Sequence, residues 1–297
     1  MNLCFGAFLF GTKLGSMNYS KISPKQHPFL KVLECCGESE QKQAVKELYY
    51  YGQLPDPRPR VVAIVGARHS TKYGEEAAYR AAYELAKRGV VVVSGLAYGI
   101  DSCAHRGCLD AGGITVAILG TPIDKIYPRC NLDLSRRILE RGAILSEYPP
   151  RHETRAYDFQ IRNRIVSGLA DAVLIVEASL NSGTYGTYES ALKQGKEVFV
   201  APGDLTRPMS NGTNDMLRQG AHPYLDVDDI MLSFGSRAVF ERLNGLPRPA
   251  MNIFAAVQSG YETAEDIMAA LKLDAATVGT ALTLLELRGL IECAAGK

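Results

Sequence analysis

The ten residues VVAIVGARHS at positions 61–70 decide the fold of this chain. The five apolar and mostly β-branched residues that open it show no alternation with polar ones, which predicts a strand buried on both faces. Gly66 ends this strand, and an amphipathic helical pattern follows within a few residues. A strand that passes through a tight turn into a helix is the repeating unit of open parallel α/β sheets.

The turn after this strand has the features of a phosphate site. Backbone N–H groups and the positive end of a helix dipole meet at such a turn. The planar guanidinium of Arg68 suits phosphate oxygens, and Gly66 and Ser70 complete the candidate contacts. An ordinary strand–turn–helix unit with a solvated arginine has the same pattern, so this turn alone leaves both interpretations open.

Two later strands strengthen the phosphate interpretation. Residues 90–94 bring Ser94 and Gly95 to a helix start, and residues 114–119 end at Gly120. The carboxyl ends of parallel strands share one edge, where open α/β sheets bind their ligands. No G-x-G-x-x-G fingerprint is present, so we predict a Rossmann-like open parallel sheet with helices on both faces that binds no NAD or other cofactor. Further strands are predicted at 143–146, 172–177 and 197–200.

Composition limits the class of protein. The 33 basic and 32 acidic residues give a net charge of +1, so a DNA site would have to be a local patch. The seven cysteines show no metal-ligand spacing and fit reduced thiols, which favours a cytoplasmic protein without a metal. The apolar run at residues 3–10 is too short to span a membrane, and Met17 offers an alternative start that would make residues 1–16 an extension.

The end of the chain has a different pattern. Residues 251–297 carry apolar side chains at helical spacing, and Thr263 and Asp274 are suited to cap two successive helices. Together they predict a helix-turn-helix followed by the start of a wing. The second helix, 275–288, would be the recognition helix, but Arg288 is its only basic residue. Contact with a protein, or simple packing, is therefore as consistent with this pattern as contact with DNA.

A segment in the middle of the chain suits single-stranded nucleic acid. It places Arg155, Arg162, Asn163 and Arg164 around the aromatic ring of Phe159. Basic grooves with aromatic platforms bind single strands without reading their sequence. The alternative is a helix start in which Phe159 enters the core and the arginines pair with carboxylates. This segment alone leaves both interpretations open.

Several motifs in the same order give the chain a resemblance to the DprA/Smf family of DNA-processing proteins, over about residues 45–232. The motifs are Gly66-Ala67-Arg68, Ser94-Gly95-Leu96-Ala97-Tyr98-Gly99-Ile100-Asp101, Ala104-His105-Arg106-Gly107, Ile126-Tyr127-Pro128, Ser146-Glu147-Tyr148-Pro149, Arg162-Asn163-Arg164 and Ala201-Pro202-Gly203. The resemblance implies a protein that binds single-stranded DNA and loads RecA recombinase onto it during natural transformation. It also implies a homodimer formed through the Rossmann-like domain, a C-terminal winged helix and no established catalytic reaction. In that family a basic residue lies just ahead of a base-stacking phenylalanine, and Arg155 and Phe159 are the nearest matches, with the basic residue displaced by one position. We therefore favour the DNA interpretation for Phe159, and less strongly for Arg155.

A second resemblance leaves a different function open. Ser182, Gly183 and Thr184 fit the serine–glycine–hydroxyl step of the DprA/Smf family at a helix N-terminus. The segment through Glu189 also resembles the glycine-rich loop of the LOG nucleoside-monophosphate hydrolases, in which a glutamate acts on the N-glycosidic bond. The spacing here is one residue short of that loop, and Ser182 replaces its first glycine. We therefore expect Glu189 to point away from the phosphate site.

The sequence thus predicts a binding protein, with a phosphoribohydrolase or a nucleotide sensor as the alternatives. No catalytic residue is assigned, because Asp101 and His105 are more consistent with structural roles than with an acid–base pair. The candidate DNA contacts are Gly66, Arg68, Ser70, Ser94, Gly95, Arg155, Phe159, Arg162, Asn163, Arg164, Ser182, Gly183 and Thr184. The predicted domains are a lead-in at 1–58, the Rossmann-like domain at 59–233, a linker at 234–250 and the winged helix at 251–297.

Overall fold

A computed structural model describes residues 18–35, 44–56, 58–243, 246–258, 261 and 263–291. The chain divides into two compact units between Ile230 and Met231. Met17 and the sixteen residues before it lie outside the described residues.

The first unit is built on one mixed, mostly parallel sheet. Its strands are β1 (Ser20–Ile22), β2 (Leu48–Gly52), β3 (Val61–Val65), β4 (Val91–Ser94), β5 (Thr115–Leu119), β6 (Ala143–Ser146), β7 (Ala172–Ile175), β8 (Glu197–Val200) and β9 (His222–Pro223). Their order in the sheet is β1-β2-β6-β5-β4-β3-β7-β8-β9. Strands β3 to β9 pair in parallel, and the whole of β3 is buried because neighbouring strands flank it on both sides. The predicted fold class is confirmed, and the six predicted strands are present with ends within two residues.

The predicted lead-in contributes two strands that the sequence did not reveal. Strand β2 pairs antiparallel with β6, with Tyr49 opposite Ser146, and β1 pairs antiparallel with β2. Leu48 and Tyr51 of β2 are buried on opposite faces of the sheet. Part of residues 1–58 therefore belongs to the sheet, and the sheet is not purely parallel.

Helices cover both faces of the sheet, as predicted. The helices are α1 (Lys72–Lys87), α2 (Ile100–Asp110), α3 (Leu132–Leu139), α4 (Ala156–Leu169), α5 (Thr184–Lys193), α6 (Pro208–Arg218), α7 (Val227–Leu243), α8 (Arg248–Gln258), α9 (Ala264–Leu271) and α10 (Ala275–Leu287). Helices α4 and α5 pack on the face that contains Val116 and Ile118, whereas α3 packs on the face that contains Ala117 and Leu119. Helices α1 and α2 pack closely against each other, and α2 also contacts α3.

The second unit contains the predicted helix-turn-helix. Its core includes Ile253 from α8, Ile267 from α9 and Leu285 from α10. Thr263 and Asp274 cap α9 and α10 as expected, by accepting hydrogen bonds from the backbone N–H groups of Asp266 (3.1 Å) and Thr277 (2.8 Å). Helix α10 coincides with the predicted recognition helix.

The structure differs from the predicted linker and from the predicted start of a wing. Most of the predicted linker, 234–250, is helical, because α7 runs to Leu243 and α8 begins at Arg248. Leu290 and Ile291, where a wing strand was expected to begin, are not in a strand, and residues 292–297 lie outside the described residues. Among the described residues no single helix is long and apolar enough to cross a bilayer; α9 and α10 reach that length and composition only together, as a pair bent by 117°.

The close packing of α1 on α2 generates the first prediction. A methyl group at Gly107 would overlap the backbone carbonyl oxygen of Tyr79, and a backbone atom cannot move aside as a flexible side chain can. We expect Gly107→Ala to lower the free energy of unfolding by about 1–3 kcal/mol, as overpacking typically does. Chemical denaturation would measure the change.

Gly186→Ala in α5 is the matched control. A methyl group there would meet only the Asn163 amide at an ordinary 3.5 Å, and alanine favours a helix over glycine by up to about 1 kcal/mol. An equal loss of stability in both variants would contradict the packing argument.

Candidate nucleic-acid interface

A cavity of about 390 Å³ opens at the carboxyl edge of the sheet, beyond the ends of β3 and β4 and between α4 and α5. Nine of the thirteen predicted contacts line it: Gly66, Arg68, Gly95, Phe159, Arg162, Asn163, Ser182, Gly183 and Thr184. Further lining residues include Ala67, His69, Ala97, Asp101, Gln160, Ser179 and Thr187. Its charged lining side chains are two arginines and one aspartate, so the cavity favours an anion.

Arg162 supplies a buried positive charge on the cavity wall. Only 5% of the residue is exposed, and its Nη1 donates a hydrogen bond to the Ile118 carbonyl oxygen (2.6 Å). Its Nε is buried without a hydrogen-bond partner. Burial lowers the pKa of Arg162 to about 10, so the guanidinium stays charged at neutral pH.

Gly95 is required for this arrangement. A side chain at this position would overlap the Arg162 guanidinium, so only glycine allows the backbone to lie against it. The Gly95 N–H does not face a ligand, however, because it donates to Asp101 Oδ2 (3.1 Å). The Gly95 N–H group is therefore already used within the protein. What Gly95 provides is room for an arginine.

Asp101 fixes the loop after β4 from within the protein. Its Oδ2 accepts hydrogen bonds from the backbone N–H groups of Gly95 and Ala97 (3.3 Å for Ala97). Burial raises the pKa of this carboxyl group, and the positive charge of Arg162 acts in the opposite direction. The Asn131 amide holds the same loop by donating to the carbonyl oxygens of Leu96 (3.0 Å) and Ala97 (3.2 Å).

His105 has a structural role, as the sequence favoured. Its Nδ1 lies 2.7 Å from Thr115 Oγ1, and that hydroxyl donates to the Val92 carbonyl oxygen. Thr115 therefore accepts from Nδ1–H, which leaves Nε2 as the unprotonated nitrogen, buried and without a partner. Burial lowers the pKa of His105 to about 3. Its hydrogen-bond partner is Thr115 rather than Asp101, so the two residues do not form an acid–base pair.

The N-terminus of α5 forms the opposite wall. Gly183 precedes the helix and is exposed, and nothing lies within 4 Å of where a side chain would be. The Thr184 N–H donates to Ser182 Oγ (3.2 Å), and the Asn163 amide donates to the Gly183 carbonyl oxygen (3.2 Å). The positive end of the α5 dipole thus faces the same space as the arginines.

Arg68 and Phe159 form the mouth of the cavity. The exposed Arg68 guanidinium lies over the Phe159 ring, 5.3 Å from its centroid. Phe159 is half-buried: one part of the ring packs on Gly120 and lies 5.7 Å from the Tyr127 ring, while another lines the cavity. The Phe159 ring thus packs against the protein and also lines the cavity, and its role as a platform for a base stays a prediction.

The other four predicted contacts do not line the cavity. Ser94 is wholly buried and donates to the Ile64 carbonyl oxygen (2.6 Å), so its hydroxyl cannot reach a ligand. Ser70 donates to Glu75 (3.0 Å), and Arg164 forms a two-point ion pair with Glu147 (2.7 and 3.0 Å). Arg155 is exposed just before α4; its contact with DNA stays a prediction.

Glu177 is a structural residue that the sequence analysis missed. It follows β7, is 3% exposed, and accepts hydrogen bonds from the Thr71 N–H (2.9 Å) and hydroxyl. It thereby ties the start of α1 to the centre of the sheet. Its signal was a carboxylate directly after a buried strand. Glu189, by contrast, is exposed and does not line the cavity.

The described residues hold no group of three or more His, Cys, Asp or Glu side chains placed to bind a metal ion. The donor groups at the cavity are guanidinium, amide, hydroxyl and a helix N-terminus. Together with the aromatic ring at the mouth, they suit a ligand that combines phosphate with a flat base.

Comparison with known protein families agrees with this chemistry. A family model for DNA recombination-mediator protein A matches residues 24–235, and a model for the DprA winged helix domain matches residues 243–297. A putative DNA processing protein DprA of Mycobacterium tuberculosis is 38% identical over 256 residues, which are 82% of this chain and 65% of that protein. Protein Smf of Escherichia coli is 41% identical over 191 residues, 63% of this chain and 51% of that protein. The chain thus spans about half to two thirds of the length of these relatives.

Two solved structures share the fold. DNA processing protein A of Streptococcus pneumoniae is 32% identical, with a TM-score of 0.62 over 73% of this chain and 74% of that one. DNA processing protein A of Helicobacter pylori is 32% identical, with a TM-score of 0.64 over 76% of this chain and 99% of that one. The latter structure is described as revealing a single-stranded DNA binding mode.

The buried His105 generates a prediction on pH. Its pKa of about 3 in the folded state lies below the usual 6.5, so only the unfolded chain takes up a proton as the pH falls below 6.5. We expect the free energy of unfolding to fall by about 2 kcal/mol from this group between pH 7 and pH 5. Denaturant titrations at both pH values would measure it.

His105→Gln, which cannot titrate, isolates the contribution of the imidazole. The raised pKa of Asp101 makes acidification stabilise the folded state, which opposes the effect of His105. Asp101 is present in both the wild-type protein and the variant, so its contribution cancels in the comparison. The wild-type protein should lose about 2 kcal/mol more than the variant over the same interval. Equal losses would mean that His105 accepts a proton in the folded state.

Proposed function

Because this chain belongs to the DprA/Smf family of DNA recombination-mediator proteins, we propose that it binds single-stranded DNA in the cavity at the carboxyl edge of its sheet. The observation that carries the proposal is the pairing of Arg68 with Phe159 at the mouth of a cavity whose wall holds the buried charge of Arg162. An arginine for phosphate and a ring for a base are the two parts that sequence-tolerant binding of a single strand requires.

The proposed mechanism is one of binding without chemistry. A backbone phosphate enters between Arg68 and the N-terminus of α5, where the helix dipole and the charge of Arg162 stabilise it. The adjoining base stacks on Phe159, so the Arg68 guanidinium moves from the ring to the phosphate. Among the described residues, the carboxylate that lines this space is the buried Asp101, and Glu189 lies outside the cavity. This lining gives no support to a phosphoribohydrolase.

The wider role that we propose is that of a recombination mediator. The protein would protect incoming single strands in the cytoplasm and load RecA onto them during natural transformation, acting as a homodimer formed through the sheet-containing unit. Family membership supports this role, and the single-stranded DNA binding mode of the Helicobacter pylori relative supports its DNA-binding part. Co-sedimentation of RecA with complexes formed by this protein on single-stranded DNA would test the partner.

Arg68 provides the direct test of the DNA site. We expect Arg68→Ala to weaken binding of an oligo-dT by about 1.5–3 kcal/mol, since a charge-assisted contact is lost. The slope of log affinity against log salt should become less steep by about 0.7, equivalent to one phosphate on a single strand. Arg68→Lys should restore the slope but only part of the affinity, because the planar fork is missing. Fluorescence anisotropy at several salt concentrations would measure both quantities.

Arg218→Ala is the matched control for Arg68. Arg218 is the last residue of α6, with its side chain 82% exposed, and it does not line the cavity. Its loss should leave both affinity and salt slope unchanged. If Arg68→Ala binds like the wild-type protein while folded, the proposed site is wrong.

Phe159 tests stacking separately from packing. Phe159→Leu keeps an apolar side chain on Gly120 but removes the flat ring, so affinity for oligo-dT should fall by about 1–3 kcal/mol. Stability should change by less than about 1.5 kcal/mol, as is usual for swaps between apolar residues of similar volume. Phe159→Trp should keep the affinity. Anisotropy and thermal unfolding would measure the two effects.

Phe199→Leu provides the comparison, because Phe199 is buried in β8 away from the cavity lining. That change should lower stability without altering the affinity of the folded protein. If Phe159→Leu behaves in the same way, Phe159 is a core residue and not a platform for a base.

A further inference from the structure

The aromatic surface at the cavity mouth continues beyond Phe159. The Tyr127 ring lies 5.7 Å from the Phe159 ring, and the Tyr98 ring lies 6.4 Å from the Tyr127 ring, nearly perpendicular to it. Tyr98 immediately follows Ala97, which lines the cavity, and is 40% exposed. Phe159, Tyr127 and Tyr98 thus form a row of three rings that starts at the cavity and ends at an exposed ring.

The backbone beneath Tyr98 is held on several sides. Asp101 accepts hydrogen bonds from the Gly95 and Ala97 N–H groups, and Asn131 donates to the Leu96 and Ala97 carbonyl oxygens. Leu96 has a left-handed backbone conformation (φ 55°). This conformation is unfavourable in free energy for a leucine, so the hydrogen bonds that anchor the loop must maintain it. The Tyr98 ring is therefore presented on a rigid support, although it is exposed.

A rigid, exposed ring in this position suits a nucleobase. An exposed aromatic ring contributes little to the stability of the fold. When such a ring is already held in place, a base can stack on it without a large loss of conformational entropy on binding. The T-shaped contact of Tyr127 with Tyr98 braces the ring by its edge, an arrangement that aromatic pairs favour. The two ring-to-ring steps together span at most about 12 Å. At about 3.4 Å per nucleotide of a stacked strand, that distance is no more than about three or four nucleotides.

We propose that Tyr98 is a second base-stacking platform, which binds a base of the same DNA strand a few nucleotides from the one at Phe159. Tyr127 is the positioning residue that braces Tyr98 against the cavity mouth. The strand would therefore leave the cavity across the carboxyl ends of β4 and β5, where Tyr98 and Tyr127 follow. This inference rests on the proposed binding of single-stranded DNA and deepens it by assigning the strand a path out of the cavity.

Affinity measured against oligonucleotide length tests the inference. Tyr98→Ala should weaken binding of dT12 roughly 5- to 150-fold, the range typical of one stacked base. It should not alter the affinity for thymidine 5′-monophosphate, whose single base cannot occupy Phe159 and Tyr98 together. Tyr98→Phe keeps the ring and should bind dT12 within about twofold of the wild-type protein, since stacking uses the ring face. Phe159→Leu, in contrast, should weaken binding of both ligands.

Tyr79→Ala is the matched control. Tyr79 is 37% exposed and also belongs to a tyrosine pair, with Tyr83 at 6.3 Å, but it lies two turns into α1 and does not line the cavity. Its loss should leave dT12 binding unchanged. Equal weakening by Tyr79→Ala and Tyr98→Ala would overturn the inference, because the effect would then not be specific to the row of rings.

A spectroscopic test does not depend on the alanine variant. The chain contains no tryptophan, so Tyr98→Trp introduces a single indole whose fluorescence a stacked base would quench. We expect quenching by dT12 and not by thymidine 5′-monophosphate. A series of dT12 oligonucleotides can carry one abasic site, each at a different position. We expect the abasic site at one of these positions to reduce both the quenching of the indole fluorescence and the affinity. Unchanged indole fluorescence on saturation with dT12 would overturn the inference.

The outcomes separate this inference from the function on which it rests. If dT12 binds and Arg68→Ala weakens it, but Tyr98→Ala and Tyr98→Trp show no effect, the second platform is wrong and the DNA site stands. If the wild-type protein does not bind dT12, the proposed function fails and the inference fails with it.

Discussion

The structure of the site depends on one buried guanidinium. Arg162 lies inside the protein, where an isolated charge would be unfavourable in free energy. The Ile118 carbonyl oxygen accepts its hydrogen bond, and the nearby charge of Asp101 stabilises it. The absence of a side chain at Gly95 leaves the space that the guanidinium occupies. Asp101 in turn holds the N–H groups of the loop after β4. The charge that prepares the cavity for an anion and the loop that shapes the cavity are thus parts of one arrangement, and neither can change without the other.

The sequence predicted the elements that local patterns determine. Apolar runs between turn residues identified the parallel strands. Residues at the carboxyl ends of parallel strands lie at the same edge of the sheet, whatever the order of the strands. It missed β2 because LYYYG at positions 48–52 is short, and its partner β6 is almost a hundred residues away. That pairing depends on long-range contact rather than on local preference.

Individual side chains were harder to predict than the edge on which they lie. Ser94 and Gly95 are adjacent, yet the Ser94 hydroxyl bonds to the neighbouring strand β3, whereas Gly95 lies just beyond the end of β4 and lines the cavity. Similarly, Arg162 and Arg164 are two residues apart on α4, which turns their side chains by about 200° relative to each other. One reaches the cavity and the other pairs with Glu147. The direction in which each side chain points depends on how its helix or strand is rotated about its own axis. Composition and residue spacing do not determine that rotation.

The short antiparallel pair β1–β2 has a consequence for solubility. The parallel part of the sheet would otherwise end at β6, a buried apolar strand whose outer N–H and C=O groups would be open to pairing with any extended chain. Strand β2 occupies that edge, and the still shorter β1 leaves only three residues, among them Ser20 and Lys21, at the new border. Proteolytic loss of the residues before Val61 would therefore do more than shorten the protein. It would expose the edge of β6 as a template for self-association, so we expect β1 and β2 to protect the sheet against aggregation.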